Sequence, residues 1–220
     1  MVQVVSIFER RETLPRGPHR LSRAEVAESQ RTRLMAALTE LLAERGYAAV
    51  RIGDLVARAG VSRASFYEHF ADKEACLLSA YDLFAARVMT AITVPFGPDT
   101  TWPQFVDRML AGYLEVLELD PTAARAFLVE MDAAGSRARQ RRRDAMHWFA
   151  QVWAQRHAEI RKRDKSLGEL PDVAYLALAF SVRDVVQDAM LDAGSPPLRE
   201  LAPGLATMIN AVVQGAAAAR

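Results

Sequence analysis

Apolar residues repeat at helical spacing along most of the chain, and beyond residue 100 no alternating strand signal appears. Between Arg23 and Arg45, Leu34, Leu38, Leu41 and Leu42 share one face and Gly46 ends the run, which predicts a long first helix. Ile52, Leu55, Val56 and Ala59 then fall at i, i+3, i+4 and i+7, the signature of a short helix with one apolar face. Phe66 and Phe70 lie one turn apart in a third helix, with Val61 in the turn before it. A fourth begins after Asp72, carries Leu77, Leu78, Tyr81, Phe84 and Val88, and is broken by Pro95-Phe96-Gly97-Pro98. Further helices are predicted over 102–119, 121–134, 137–164, 171–193 and 198–218, with Pro121 in a first turn and Gly194-Ser195-Pro196-Pro197 parting the last two. The expected fold class is all-α.

Residues 46 to 74 carry the most chemistry. Gly60 follows the second helix where a left-handed stop is needed. Ser62 suits the N-cap of the third, a contact worth about 1 kcal/mol. Two short helices around such a turn are the layout of a helix-turn-helix reader of DNA. Arg63, Ala64 and Ser65 in the first turn of the reader permit close approach to a major groove, and Arg63 is the candidate for guanine. Tyr67, His69 and Lys73 offer donors suited to phosphate, with amides at the start of the fourth helix beside Lys73.

Gly60-Val61-Ser62 followed by Phe66-Tyr67-Glu68-His69-Phe70 and Asp72-Lys73-Glu74 resembles the DNA-binding domain of the tetracycline-repressor (TetR) family, over about residues 30 to 85. The resemblance implies an all-helical homodimer: an N-terminal three-helix DNA-binding domain, and a larger C-terminal domain that binds a small effector and dimerises through the last two long helices. It implies a repressor released from a near-palindromic operator by that effector. Arg51 stands where the family usually has a threonine or serine that caps the second helix and touches phosphate, and Val56 where alanine is common. The expected division is a basic arm over 1–22, a DNA-binding domain over 23–72, and an effector-binding and dimerisation domain over 73–220. Arg51, Ser62, Arg63, Ala64, Ser65, Tyr67, His69 and Lys73 form the expected DNA surface.

With 51% hydrophobic residues the chain has material for a sizeable core, and a formal charge of +1 excludes a general polyanion binder. DNA affinity must therefore come from a local basic surface. The leader holds Arg10, Arg11, Arg16 and Arg20 among Pro15, Gly17 and Pro18; it reads as a solvated tail, with minor-groove entry as the alternative. The single cysteine, Cys76, reads as packing. No apolar run approaches the roughly 18 residues needed to span a membrane, and a cytoplasmic protein is expected.

The middle helices are rich in large, adaptable side chains. Phe105, Met109, Tyr113, Phe127, Met131, Trp148, Trp153, Phe180 and Asp184 are the expected effector-pocket residues, with Glu130, His147, Arg183 and Asp188 as further polar candidates. Arg137, Arg139, Arg141, Arg142 and Arg143 form a dense basic run that reads as a solvated face. Apolar positions on several faces of the last two helices suit a four-helix dimer interface. Asp144 and His147 share a helical face, but two ligands do not make a zinc site, and no GxSxG, phosphate loop or GxGxxG is present. No enzyme activity, cofactor or metal is expected. The rival to a regulator is a helical ligand-sensor or protein-interaction dimer without specific DNA binding.

Overall fold

Ser22 caps the first helix: its hydroxyl accepts the Glu25 N–H at 3.2 Å while the Glu25 carboxylate accepts the Ser22 N–H at 2.7 Å, a reciprocal cap. The structure is a computed structural model and describes residues 8, 22–93, 97, 99–192 and 194–218. Its helices are α1 (Arg23–Arg45), α2 (Ile52–Ala59), α3 (Arg63–His69), α4 (Lys73–Ile92), α5 (Trp102–Leu119), α6 (Pro121–Leu128), α7 (Ser136–Arg163), α8 (Asp172–Leu191) and α9 (Ala202–Ala218). Among the described residues there is no strand, and the fold is all-α. The leader before Ser22, apart from Phe8, and most of the break after α4 lie outside the described residues.

Two predicted helices are interrupted. The one expected over 121–134 stops at Leu128 and resumes only as a 3-10 turn, Met131–Ala134. Between them the Glu130 carboxylate accepts the Tyr47 N–H at 3.2 Å and lies beside Gly46, whose φ is +76°. Glu130 is thus committed to a loop amide rather than to a helix face. The one expected over 198–218 opens with a 3-10 turn, Leu198–Leu201, before α9. Pro203 has no N–H to offer the Arg199 carbonyl, which takes the Ala202 N–H instead.

The chain divides into two compact units, residues 1–86 with 119–141, and residues 87–118 with 142–220. In the first, α1 packs on α2, α3 and α6. Leu34, Leu38, Leu55, Phe66 and Leu77 are fully buried, and Phe84 and Tyr81 pack on Phe127 with ring centroids 5.0 Å and 6.0 Å apart. α4 alone among the described helices is long and apolar enough to pass for a membrane span, which corrects the expectation that no such run exists. Its Cys76, Leu77, Ala80, Tyr81 and Phe84 are core residues, so that apolarity has a packing role. Burial also pushes the Cys76 thiol up, keeping it protonated and unreactive.

Ion pairs edge this unit. Arg58 of α2 reaches Glu40 at 3.0 Å and Glu44 at 2.9 Å on α1. Arg137 lies 3.4 Å from both Asp72 and Glu74, and Arg141 grips Asp82 with two bonds of 2.7 Å. The arginine run is therefore partly a clasp between α7 and α4. Each exposed pair is worth under about 1 kcal/mol, so the clasp sets register more than stability.

The second unit is built on Trp102, Phe105, Leu110, Leu114, Ile160 and Ile209. Gly112 of α5 approaches α4 so closely that a Cβ there would lie 2.7 Å from the Ala91 carbonyl oxygen. His157, 1% exposed, shares a hydrogen bond of 2.6 Å between its Nδ1 and the Tyr175 hydroxyl, and its ring packs edge-on against Trp102 at 4.7 Å.

Candidate functional site

The turn between α2 and α3 is built as its residue types require. Gly60 adopts φ 64°, ψ 39°, and the Val61 N–H reaches back to the Val56 carbonyl at 3.1 Å, closing α2 with a left-handed residue. Ser62 caps α3, its hydroxyl accepting the Ser65 N–H at 3.0 Å and donating to Ser65 Oγ at 3.2 Å. Phe66 and Phe70 are buried and anchor the helix, while Arg63, Ala64, Tyr67 and Glu68 are exposed. The Arg63 guanidinium lies 5.9 Å from the centre of the Tyr67 ring, a spacing that lets the ring steer the cation.

Arg51 occupies the N-cap position of α2 without a side-chain cap, since a guanidinium has no acceptor for the first-turn amides; Asp54 accepts the Arg51 N–H at 3.0 Å, the other half of a capping box. An acid at the third helical position was the legible signal for this. Arg51 is left exposed and, with Arg63 and Lys73, lines an open depression over Val50, Ile52 and Gly53. Two expected phosphate ligands are placed otherwise than foreseen. His69 is half-buried with its Nε2 3.1 Å from Gln30 Oε1, because its position on α3 faces α1. Lys73 donates from Nζ to the carbonyls of Val50 and Tyr47, and the Asp72 carboxylate already accepts the Ala75 N–H at 2.6 Å at the start of α4. Arg31 of α1, not singled out from the sequence, lies 4.6 Å over the Phe70 ring and donates to Ser79 Oγ at 2.9 Å, steadying the end of α3.

In the second unit a small cavity of about 40 Å3 is lined by Ile92, Met109, Tyr113, Met146, Phe149, Trp153, Ala179, Val182 and Arg183. Met109, Tyr113 and Trp153 of the expected pocket line it. The other six do not: Phe105 is packed in the core, Phe127 and Met131 belong to the first unit, and Trp148 is 43% exposed. Phe180 lies under the Arg142 guanidinium, and the Asp184 side chain is 63% exposed beside Arg183. Ile92, Met146, Phe149, Ala179 and Val182 are outside the expected pocket set, although 146, 149 and 153, and 179, 182 and 183, fall at one-face helical spacing.

Residues 34–80 match the family model described as bacterial regulatory proteins, tetR family. Over 65 residues the chain is 40% identical to the HTH-type transcriptional regulator CymR of Pseudomonas putida, covering 30% of this chain and 32% of CymR. It is 25% identical over 121 residues to the HTH-type transcriptional activator FasR of Mycolicibacterium smegmatis, covering 54% and 55%. The chain spans between 21% and 55% of the length of the curated relatives it matches. A crystal structure of the transcriptional regulator FadR from Bacillus subtilis in complex with stearoyl-CoA superposes with a TM-score of 0.68 at 18% identity, over 83% of this chain and 97% of that one. That identity establishes a shared fold. Residues 34–80, with the helix-turn-helix geometry within them, are thus similar to the tetR family of bacterial regulatory proteins, and the fold of the chain is shared with that solved structure.

Proposed function

We propose that the chain is a cytoplasmic, ligand-responsive transcriptional regulator, a repressor rather than an enzyme, that binds a near-palindromic operator as a homodimer and is released by a small apolar or amphipathic effector. The observation that carries this reading is the exposed first turn of α3, fixed from beneath by buried Phe66 and Phe70 and at its start by Ser62. Residues 23–72 read DNA; residues 73–220 bind the effector and dimerise. Arg63 reads a base, Ala64 and Ser65 allow the approach, and Tyr67 and Arg51 hold phosphate. Lys73 adds charge to the same depression, and His69 positions α3 through Gln30.

The dimer forms through α8 and α9. Val173, Val185 and Leu191 on α8 and Val212 on α9 are exposed apolar side chains, and Ala177, Ala211 and Gly215 on the same helices are small and exposed. A two-fold dimer presents two α3 helices to half-sites about 34 Å apart. The cavity lined by Met109, Tyr113 and Trp153 receives the effector. At about 40 Å3 it is smaller than a whole ligand, so occupancy displaces lining side chains or the helices that carry them. α4 begins at Lys73 and ends at Ile92, which lines the cavity, and this makes it the route of the signal. A tenfold loss of operator affinity requires about 1.4 kcal/mol of coupling.

The second reading, a helical ligand-sensor or protein-interaction dimer without specific DNA binding, draws on Arg51 at the N-cap of α2, where no side chain caps the helix; the Asp54 contact to the Arg51 N–H still anchors the start of α2 and favours the first reading. The test is selection of bound sequences from a random DNA library by the purified chain, followed by titration of the winner at two salt concentrations. A two-fold symmetric winner bound at least a hundredfold more tightly than random DNA is expected. No enrichment by folded protein would overturn the reading.

A further inference from the structure

We infer that Arg125 and Glu130 are positioning residues for DNA binding: together they hold the loop that leads into α2 and so set where Arg51 stands. This rests on the reading of α2 and α3 as a DNA-binding surface, and it adds to that surface two residues from α6 and the loop after it.

The end of α1 leaves two backbone groups to be satisfied. One more residue of helix would pair the Tyr47 N–H with the Ala43 carbonyl, four residues earlier. Gly46, with φ +76°, ends the helix instead. Both groups are taken up from a distant part of the chain. The Arg125 Nε donates to the Ala43 carbonyl at 3.2 Å, and the Glu130 carboxylate accepts the Tyr47 N–H, also at 3.2 Å. A cation on the carbonyl and an anion on the amide thus replace the bond the helix gives up, each with the sign its partner favours. The fit at Gly46 is close: a Cβ there would stand 3.0 Å from Glu130 Oε2, so glycine serves both the positive φ and the approach of the carboxylate.

The other side of Tyr47 is held as well. Its carbonyl accepts the Lys73 Nζ at 2.7 Å, and the Val50 carbonyl accepts the same nitrogen at 2.6 Å. Val50 is buried, and Arg51 follows it directly as the exposed N-cap of α2, lining the depression it shares with Arg63 and Lys73. The loop from Gly46 to Val50 therefore has Glu130 at its start and Lys73 at its end. Without Glu130 the Tyr47 N–H turns to water, the loop hangs on Lys73 alone, and Arg51 loses its fixed place over a phosphate. All of these residues belong to the first unit.

The experiment measures binding of the full chain to the sequence selected from the random library, at several salt concentrations, with the folding of each variant checked by circular dichroism. Arg51→Ala is expected to lower the slope of log affinity against log salt by about one phosphate contact. Glu130→Ala is expected to weaken binding about fivefold or more with the same loss of slope, and adding Arg51→Ala to it changes affinity by less than about twofold, because the contact is already gone. Glu130→Gln, whose amide oxygen accepts the same N–H, stays within about threefold of wild type. Where Glu130→Ala does not fold, Arg125→Ala, at an exposed side chain, carries the same comparison with Arg51→Ala. Four results would each overturn the positioning role while leaving the DNA-binding reading in place: a folded Glu130→Ala or Arg125→Ala with wild-type affinity and slope, an Arg51→Ala slope equal to wild type, losses that multiply in the double variant, or Glu130→Gln no better than Glu130→Ala. A folded wild-type chain that selects no sequence would overturn that reading, and this inference with it.

Discussion

The ammonium nitrogen of Lys73 lies 2.6 Å from the Val50 carbonyl oxygen and 2.7 Å from that of Tyr47, with the Tyr47 ring centre 3.9 Å away. The first residue of α4 thus holds the loop that leads into α2. Burial lowers the pKa of this lysine, and its bonds to two carbonyls favour the charged form that makes them. Lys73→Met removes both charge-assisted bonds and is expected to cost about 2 kcal/mol in urea unfolding. It should also weaken operator and random DNA alike and flatten the salt dependence. An unchanged unfolding midpoint would mean that the loop is held by something else.

Arg63 separates stability from specificity. It is exposed and lies 5.9 Å from the centre of the Tyr67 ring, so Arg63→Ala is expected to leave the melting temperature within experimental error. Its cost appears on the operator: about 1 to 3 kcal/mol of discrimination lost at one base position, with little change on random DNA. Competition titrations against single-base variants of the operator measure this. Equal losses on operator and random DNA would assign Arg63 to phosphate instead.

His157 predicts a pH dependence. Burial first, and the neighbouring Arg161 charge second, lower its pKa to about 4 in the folded chain. In the unfolded chain it returns to about 6.5. Between these values the unfolded state binds the extra proton, so the stabilising contribution is fully present above pH 6.5 and is lost as pH falls toward 4. The slope from this one group is at most about 1.4 kcal/mol per pH unit. Unfolding of wild type and His157→Gln across pH 4 to 7.5 isolates it from the carboxylates: the variant should show the shallower decline. Parallel curves would remove His157 as the titrating group.

Much of the helix-turn-helix was legible because its chemistry is local. Gly60, Ser62 and the Phe66/Phe70 pair each declare a turn, a cap and a buried face within a few residues, and the helix ends followed. Partners distant in sequence were not legible. Nothing near Lys73 announces that its ammonium turns back to Val50, and nothing near Glu130 announces that it leaves its helix for the Tyr47 amide, 83 residues away. The cavity was half-legible for the same reason. Each helix shows its apolar stripe, but which stripe faces a gap and which fills the core depends on packing between helices, and so Phe105 and Met109, one turn apart, have different neighbours.

Gly112 tests whether the α4–α5 approach sets the shape of that cavity. A Cβ at this position would stand 2.7 Å from the Ala91 carbonyl oxygen, a backbone atom that cannot swing aside. Gly112→Ala therefore has to part α5 from the end of α4, at about 1 to 3 kcal/mol, against a gain of about 1 kcal/mol from alanine in a helix. Gly204 of α9 is the control, since its Cβ position has nothing within 4 Å. Thermal unfolding should place Gly112→Ala below wild type and Gly204→Ala at or above it. Met109 and Tyr113 flank Gly112, and Ile92 follows Ala91, so the forced separation acts on three cavity walls at once. Any probe that binds the cavity should therefore change affinity at least threefold in Gly112→Ala and stay level in Gly204→Ala. A Gly112→Ala chain as stable as wild type, with unaltered binding, would show that α5 yields at this contact without cost and that the cavity is shaped elsewhere.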